Sequence, residues 1–280
     1  MSNDIIDIIN NRATCRSYME KEIPEEIMNQ LLDAACKSPS SGGFQTYSII
    51  KVTKKEKKEQ LVKLCRNQKF IEKAPVSLIF CIDFRRVKRI NEIEPAPCIE
   101  TDTFMNFWMG LIDAAISAQT LCLAAEAFGL KTVYIGNIIN MIDEAAKLLN
   151  IPEYVCPAVM VTIGYPTKTP TPPLRYDKSV LIHEEEYRDI DIDMLMKAYK
   201  EKDGKQKIKA TDKLVERIYN TAKAYHGVEH AEKCKQYILD KGIISTYQYW
   251  FGCYYLEEEG FLSMQGYKEF MKRQGFKWLE

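Results

Sequence analysis

Short apolar segments that alternate with amphipathic helical stretches are the feature that most constrains how this chain can fold. The most apolar of them, Val76–Ile82, has the composition of a strand buried on both faces of a sheet. Three more segments have strand-like composition: Tyr47–Val52, Thr132–Ile135 and Ala158–Ile163. Because helical patterns lie between them, the order of segments is typical of an α+β or α/β domain.

Apolar periodicity and helix-ending residues predict the helices between these segments. A first amphipathic helix includes Ile5–Ile9, and Pro24 suits the first turn of a second helix, where its missing N–H needs no partner. A long helix runs from about residue 102 to residue 128 and ends at Gly129, which suits a left-handed cap. Shorter helices are predicted over 54–65 and 143–149.

The composition is that of a globular protein. The chain has 280 residues, 46% of them apolar, which is enough for one large core or for a main domain with an appendage. Acidic and basic side chains are equal in number, 39 of each, so the formal net charge is zero. Nucleic-acid-binding proteins usually carry a basic excess on one face, so we expect no nucleic-acid partner.

No membrane span and no export signal are expected. The longest apolar-rich stretch, residues 108–130, is interrupted by Asp113, Gln119 and Glu126, and we predict a buried helix there. The N-terminus lacks the charged and then apolar pattern of a secretory signal. The nine cysteines are scattered without a close Cys-x-x-Cys pair, which is typical of reduced thiols in the cytoplasm.

The C-terminal part changes character twice. Residues 167–173 contain three prolines, and we expect them to run extended over the surface and to position Arg175. Residues 200–211 are polar and lysine-rich, which indicates a hinge or an exposed loop before a helical tail. Aromatic side chains are concentrated over 247–255, which favours a core or a dimer interface, and a lid over an aromatic substrate is the open alternative.

Three arginines indicate a phosphate-binding site. Arg12 and Arg16 lie close together near the N-terminus, and Arg175 follows the proline-rich segment. Guanidinium groups are permanently charged and rich in donors, so a cluster gathered from distant segments suits a phosphate dianion better than lysines would. Unrelated surface ion pairs are the alternative for each arginine taken alone. The segments around them favour a phosphate-anchored cofactor.

Four segments, taken in order, resemble the flavin-dependent nitroreductase family. They are Arg12–Arg16 on the first helix, the loop Ser38–Gln45, the turn Tyr134–Asn137 and the later Arg175. Their order and spacing match over roughly residues 3 to 190, in particular with the NADPH-preferring branch of oxygen-insensitive nitroreductases and flavin reductases. Glycine-containing turns and serine loops are individually common, so the set as a whole carries the resemblance.

The resemblance implies an α+β fold in which helices flank a central mixed, mainly antiparallel sheet. It implies an intertwined homodimer with a helical C-terminal excursion. The FMN-binding domain is expected over residues 1–198 and a helical extension over residues 199–280, as part of the dimer and of the pocket rim. Residues 267–276 resemble the terminal helix of that branch, and the insertion before them is expected to be peculiar to this chain.

The resemblance also assigns FMN-binding residues. In the family the N-terminal motif contacts the phosphate, ribityl chain and flavin edge, and the serine-rich loop comes from the other subunit. A glutamine and the glycine-containing turn line the flavin, and the late arginine binds the phosphate. The matching residues are Arg12, Ala13, Thr14, Arg16, Pro39, Ser40, Ser41, Gly42, Gln68, Tyr134, Ile135, Gly136, Asn137 and Arg175. Relatives often have Ser or His in place of Ala13, so a side-chain hydrogen bond is missing there while a backbone contact is kept. Close relatives have lysine in place of Pro173, so we expect weaker phosphate binding.

The function that the resemblance implies is hydride transfer from NADPH or NADH through FMN to nitroaromatics, quinones or free flavin, in ping-pong order. No side chain is expected to act as a nucleophile. No metal site is expected, although His226 and His230 lie four residues apart. Lysines such as Lys205 and Lys207 are candidates for recognising NADPH by charge alone. Two alternatives stay open: a flavoprotein of the same fold that performs reductive dehalogenation or flavin fragmentation, and a non-enzymatic flavin-binding redox sensor.

Overall fold

The computed structural model describes residues 4–95, 97, 103–256 and 264–278. The chain divides into two units, one formed by residues 1–172 together with 262–280, the other by residues 173–261. The functional boundary expected between residues 198 and 199 stays a prediction.

A four-stranded sheet in the order β1-β2-β4-β3 lies at the centre of the first unit, and all its neighbouring strands are antiparallel. Its strands are β1 Tyr47–Val52, β2 Val76–Asp83, β3 Lys131–Ile135 and β4 Val155–Gly164. The four predicted strands are therefore confirmed, with end shifts of a few residues. Every residue of β2 is buried, which explains why its sequence is almost continuously apolar.

The helices lie close to the positions that apolar periodicity predicts. Pro24 is the N-cap of the second helix instead of lying in its first turn. Gly129 has a φ of +70°, as expected of a left-handed cap after the long helix. The α-helices of the described residues are α1 Asp4–Asn11, α2 Glu25–Cys36, α3 Lys55–Leu64, α4 Phe70–Lys73, α5 Arg85–Ile93, α6 Phe104–Ala127, α7 Ile142–Leu149, α8 Ile192–Asp203, α9 Asp212–His226, α10 Val228–Lys241, α11 Thr246–Tyr249 and α12 Met264–Arg273.

Apolar side chains pack on both faces of the sheet. Leu78 and Phe80 of β2 belong to the core formed with α2 and α6, whereas Ile79 and Cys81 belong to the core formed with α3 and α7. This alternation follows from strand geometry, in which successive side chains point to opposite faces. The predicted fold class, an antiparallel sheet flanked by helices, is thus confirmed.

Among the described residues, α6 alone is long and apolar enough to cross a membrane by length and composition, with a mean hydropathy of 1.4. Asp113, Gln119 and Glu126 therefore do not exclude a span by composition, contrary to expectation. The packing places one side of α6 in the core, where Ala118 and Leu121 are fully buried against the sheet. The opposite side of α6 is exposed.

Gly110 allows α6 to approach the sheet closely. A Cβ atom at this position would lie 2.7 Å from Ile82 Cγ2 and 3.0 Å from Phe84 Cε2, and both neighbours are buried. We expect Gly110→Ala to lower the free energy of unfolding by about 1–2 kcal/mol, because overpacking outweighs the gain in helix propensity. Urea unfolding followed by circular dichroism measures the change. Gly136→Ala is the control, since a Cβ there meets no atom within 4 Å, and an equal effect of the two substitutions would contradict the close approach.

The terminal helix α12 packs on the first unit. Phe270 and Phe276 are each 1% exposed and lie in a cluster with Ile142 of α7. Arg273 Nη2 donates to both carboxylate oxygens of Asp143, at 2.5 and 2.6 Å. The C-terminal segment is therefore anchored on its own chain.

The second unit has a hydrophobic core of its own, built around α9 and α10. Ile218 of α9 packs in it with Ile238 of α10. Two short strands, β5 Ile208–Lys209 and β6 Ile243–Ile244, pair antiparallel. The lysine-rich residues 200–211 therefore include the end of α8 and β5, instead of forming only a hinge or a loop. The helical tail is confirmed.

Aromatic side chains of α11 and the residues after it form an exposed ladder in the second unit. Neighbouring rings of Tyr247, Phe251 and Tyr255 have centroids 6.0 Å apart. Their exposed fractions are 44%, 65% and 56%, so these rings do not form a core. A core role is therefore excluded for these three side chains, and a dimer interface or a lid over the substrate stays a prediction.

Candidate functional site

The N-terminal arginine motif is extended, not helical as expected. α1 ends at Asn11, and the following residues lie along the edge strand β3, where Cys15 N–H donates to Thr132 O at 3.0 Å. Ala13 and Cys15 are buried, whereas Arg12, Thr14 and Arg16 are partly or fully exposed. Because side chains alternate along an extended chain, Arg12, Thr14 and Arg16 share one face of this segment.

Arg12 carries hydrogen-bond donors that nothing in the described part of the chain satisfies. Its Nε and Nη2 atoms are buried and have no hydrogen-bond partner there. The guanidinium carbon lies 5.8 Å from the centroid of the Tyr134 ring. A buried charged donor without a partner is unfavourable, so an anion that accepts from these two atoms would stabilise the site.

The groups around this guanidinium are neutral. Burial raises the pKa of the Cys122 thiol, and Thr132, Tyr134 and Arg12 offset the effect only in part. Burial likewise raises the pKa of Tyr134, whose hydroxyl donates to Gln119 Oε1 at 3.1 Å. Arg12 therefore has no anionic neighbour among these side chains, and its charge is available to a ligand.

The end of β3 brings two predicted site residues together. Gln68 Nε2 donates to Asn137 Oδ1 at 3.1 Å and to Cys65 O at 3.0 Å. Asn137 follows directly on Gly136 in a 3₁₀ turn, while Ile135 is buried at the end of the strand. The structure thus places the amides of Gln68 and Asn137 beside the same turn, on residues far apart in the sequence.

The serine-rich loop lies between α2 and β1. A 3₁₀ turn covers Ser41–Gly43, with Gly42 at a φ of +55°. Ser40 Oγ accepts from Gln45 N–H at 3.1 Å, which closes the loop on itself. The hydrogen bonds of the described residues join this loop to α2, α5 and α6, and none of them joins it to Arg12, Gln68 or Asn137.

Two residues that hold this loop were missed by sequence reasoning. Asp113 of α6 accepts from Ser41 N–H and from Thr46, and Arg86 of α5 donates to the carbonyls of Gln45 and Tyr47. In the sequence, Asp113 is recognised only as an interruption of the apolar-rich stretch 108–130. A single carboxylate on the buried stripe of a core helix was the signal that pointed to it.

Arg175 belongs to the second unit. It is exposed and lies in an irregular stretch, as the prolines predict. Its grouping with Arg12 and Arg16, and the effect of Pro173 on phosphate binding, stay predictions.

His226 and His230 have ring centroids 4.9 Å apart, and the described residues contain no group of three or more side chains suited to a metal ion.

Several known proteins are similar to this chain. A family model described as the nitroreductase family matches residues 9–165. The chain is 33% identical over 193 residues to a Cr(VI) reductase of Pseudomonas sp. strain G-1, covering 69% of this chain and 79% of that protein. It is 34% identical over 191 residues to an NADPH-dependent FMN reductase of Bacillus subtilis, covering 67% of this chain and 75% of that protein.

Structural similarity extends to the second unit. A putative oxidoreductase from Bacteroides fragilis matches with a TM-score of 0.77 at 28% identity, covering 96% of this chain and 99% of that one. Most of the second unit therefore has a counterpart there, and the expectation of an insertion peculiar to this chain is wrong for most of that unit. The match over residues 9–165 and the identity to these reductases show that this chain belongs to the nitroreductase family.

Proposed function

We propose that this chain is an FMN-dependent oxidoreductase that uses NADPH or NADH to reduce nitroaromatics, quinones or free flavin. Membership of the nitroreductase family and likeness to an FMN reductase support it. The observation in this structure that carries it is the Arg12 guanidinium, whose buried Nε and Nη2 have no hydrogen-bond partner among the described residues. A phosphate monoester such as that of FMN supplies the acceptors that these donors lack.

The N-terminal segment would hold the phosphate end of FMN. Arg12 binds a phosphate oxygen with its two free donors, and Arg16, exposed on the same face, adds a second positive charge. Thr14 offers a hydroxyl on that face, while Ala13 contributes only its backbone. Arg175 is proposed as a further phosphate-binding residue.

The end of β3 would line the flavin. Tyr134, Ile135 and Gly136 lead into the turn that carries Asn137, and glycine leaves room for a ring to approach the backbone. The paired amides of Gln68 and Asn137 offer donors and acceptors to the polar edge of a flavin. FMN held by these residues would supply the redox chemistry, which is hydride transfer from NAD(P)H to the acceptor in ping-pong order.

We propose that the functional unit is a cytoplasmic homodimer. Large apolar side chains are exposed on α1 and on the outer side of α6, where a second copy would cover them. They are Ile5, Ile6, Ile9, Phe104, Met105, Trp108, Leu111 and Ile112. In this arrangement Pro39, Ser40, Ser41 and Gly42 contact the FMN of the partner subunit, and the extension over 199–280 contributes to the dimer and the pocket rim.

The visible absorption spectrum of the purified protein tests this proposal. We expect flavin bands that bleach when NADPH or NADH is added without oxygen and return when nitrofurazone or a quinone is added. The relative rates with the two donors decide the nicotinamide preference, for which lysines of the second unit are the candidates.

Each other outcome has a definite meaning. A colourless protein that does not take up FMN would contradict the proposal. Bound FMN that neither donor bleaches would favour a redox sensor. Bleaching by NAD(P)H without reoxidation by nitrofurazone or quinones would favour a dedicated substrate, as in reductive dehalogenation or flavin fragmentation.

A further inference from the structure

Asp113 is a buried carboxylate that the proposed chemistry does not use. It is 1% exposed on α6 and forms no ion pair with any residue that the structure describes. Its Oδ1 accepts from Ser41 N–H at 2.9 Å, and its Oδ2 accepts from Thr46 Oγ1 at 2.7 Å and from Thr46 N–H at 3.3 Å. Burial of an unpaired carboxylate is unfavourable unless hydrogen bonds compensate it, and here all three come from one loop.

The three hydrogen bonds hold Ser41, inside the serine-rich loop, and Thr46, which directly follows the loop. Ser41 begins the 3₁₀ turn, and Thr46 immediately precedes β1. Because the two oxygens of one carboxylate hold these two residues, their separation is set by a rigid group. The residues between them are exposed, including Phe44 at 66%. Besides Asp113, this stretch is restrained at Gln45, which donates to Cys36 O and accepts from Arg86.

We propose that Asp113 is a positioning residue for cofactor binding. By tying Ser41 and Thr46 to α6, it holds Ser40, Ser41 and Gly42 in the shape that contacts the FMN of the partner subunit. The inference rests on the proposed function. The helix α6 also carries the apolar face proposed to contact the second copy. The same helix would therefore form part of the dimer interface and hold the loop that reaches the FMN of the partner subunit.

Asp113→Asn tests this role with little change of volume. The amide keeps one acceptor oxygen, but its NH2 group turns two donors toward the donors of Ser41 or Thr46. We expect the FMN dissociation constant to rise by about 10- to 100-fold, because a displacement of about 1 Å in a binding element has an effect of this size. We expect kcat at saturating FMN to change less than the affinity for FMN.

Ser117→Ala is the matched control on the same helix. Ser117 is fully buried, and its hydroxyl donates to Ala35 O at 3.0 Å without contacting the loop from Ser41 to Thr46. We expect its FMN affinity to stay within about threefold of the unmodified chain, since two other donors also reach Ala35 O. If Asp113→Asn does not fold, Thr46→Val removes only one of the three donors, and a loss of about 3- to 10-fold is expected.

Amide hydrogen exchange of the apoprotein gives a readout that does not depend on FMN. In Asp113→Asn at least one of the Ser41 and Thr46 amides should exchange at least about tenfold faster, because the side-chain amide keeps only one of the two acceptor oxygens, and in Ser117→Ala neither amide should. Unchanged exchange and unchanged FMN affinity would overturn the positioning role, as would equal losses in both variants. An unmodified chain that binds no FMN would overturn the proposed function itself, and that result is seen before any variant is made.

Discussion

Arg12→Met should yield a protein that is purified without FMN and is at least as resistant to unfolding as the unmodified apoprotein. In the apoprotein the Nε and Nη2 atoms are buried without partners in the described structure, so the guanidinium lowers the stability of the empty site. Methionine has a similar length and no donors, and it removes both this penalty and the phosphate anchor. Two charged hydrogen bonds of about 1.5–3 kcal/mol each imply a rise of at least about 100-fold in the FMN dissociation constant.

Fluorescence titration with FMN and thermal unfolding of the apoprotein measure the two effects of Arg12→Met separately. Arg89→Met is the control, because Arg89 is exposed on α5 and has no proposed role in binding. It should leave both quantities unchanged. If Arg12→Met instead weakened the apoprotein and left FMN binding intact, Arg12 would be a structural residue that acts through its contact with the Tyr134 ring.

The strands and the long helix were predictable because their buried residues are mostly apolar in the sequence. β2 is buried on both faces and almost entirely apolar, and Gly129 marks the end of α6. The α5 helix was not predicted, although Val87, Ile90 and Ile93 recur at helical spacing, because none of its residues is buried and its composition is mainly polar. β5 is only two residues long, too short for a period of two to be recognised.

The candidate site was predictable in its parts but not in its hydrogen bonds. Family resemblance pointed to Gln68 and Asn137, and the structure shows that their amides meet. It also pointed to the arginine motif, yet wrongly placed that motif on a helix. The role of Asp113 depends on a partner 72 positions away in the chain, and no local pattern encodes such a contact.

Trp108→Asp should dissociate the proposed homodimer and release FMN from both subunits. Trp108 is 50% exposed in the single chain and lies in the middle of the apolar stripe of α6, with its ring 5.6 Å from that of Phe104. A central tryptophan contributes about 2–4 kcal/mol to an interface, and a buried unpaired carboxylate adds a further penalty. The dimer dissociation constant should therefore rise by at least about 100-fold.

Sedimentation velocity measures the dissociation caused by Trp108→Asp, and FMN absorbance in the same run shows whether the cofactor stays bound. Ile90→Asp on α5 is the matched control, since Ile90 is 51% exposed but lies outside the proposed interface. It should remain dimeric and retain FMN. Trp108→Asp should lose both, because the monomer lacks the partner's loop, whereas Arg12→Met should lose FMN and keep the dimer. A Trp108→Asp monomer that binds FMN as tightly as the unmodified chain would contradict a site shared between subunits, and a Trp108→Asp dimer would place the interface elsewhere.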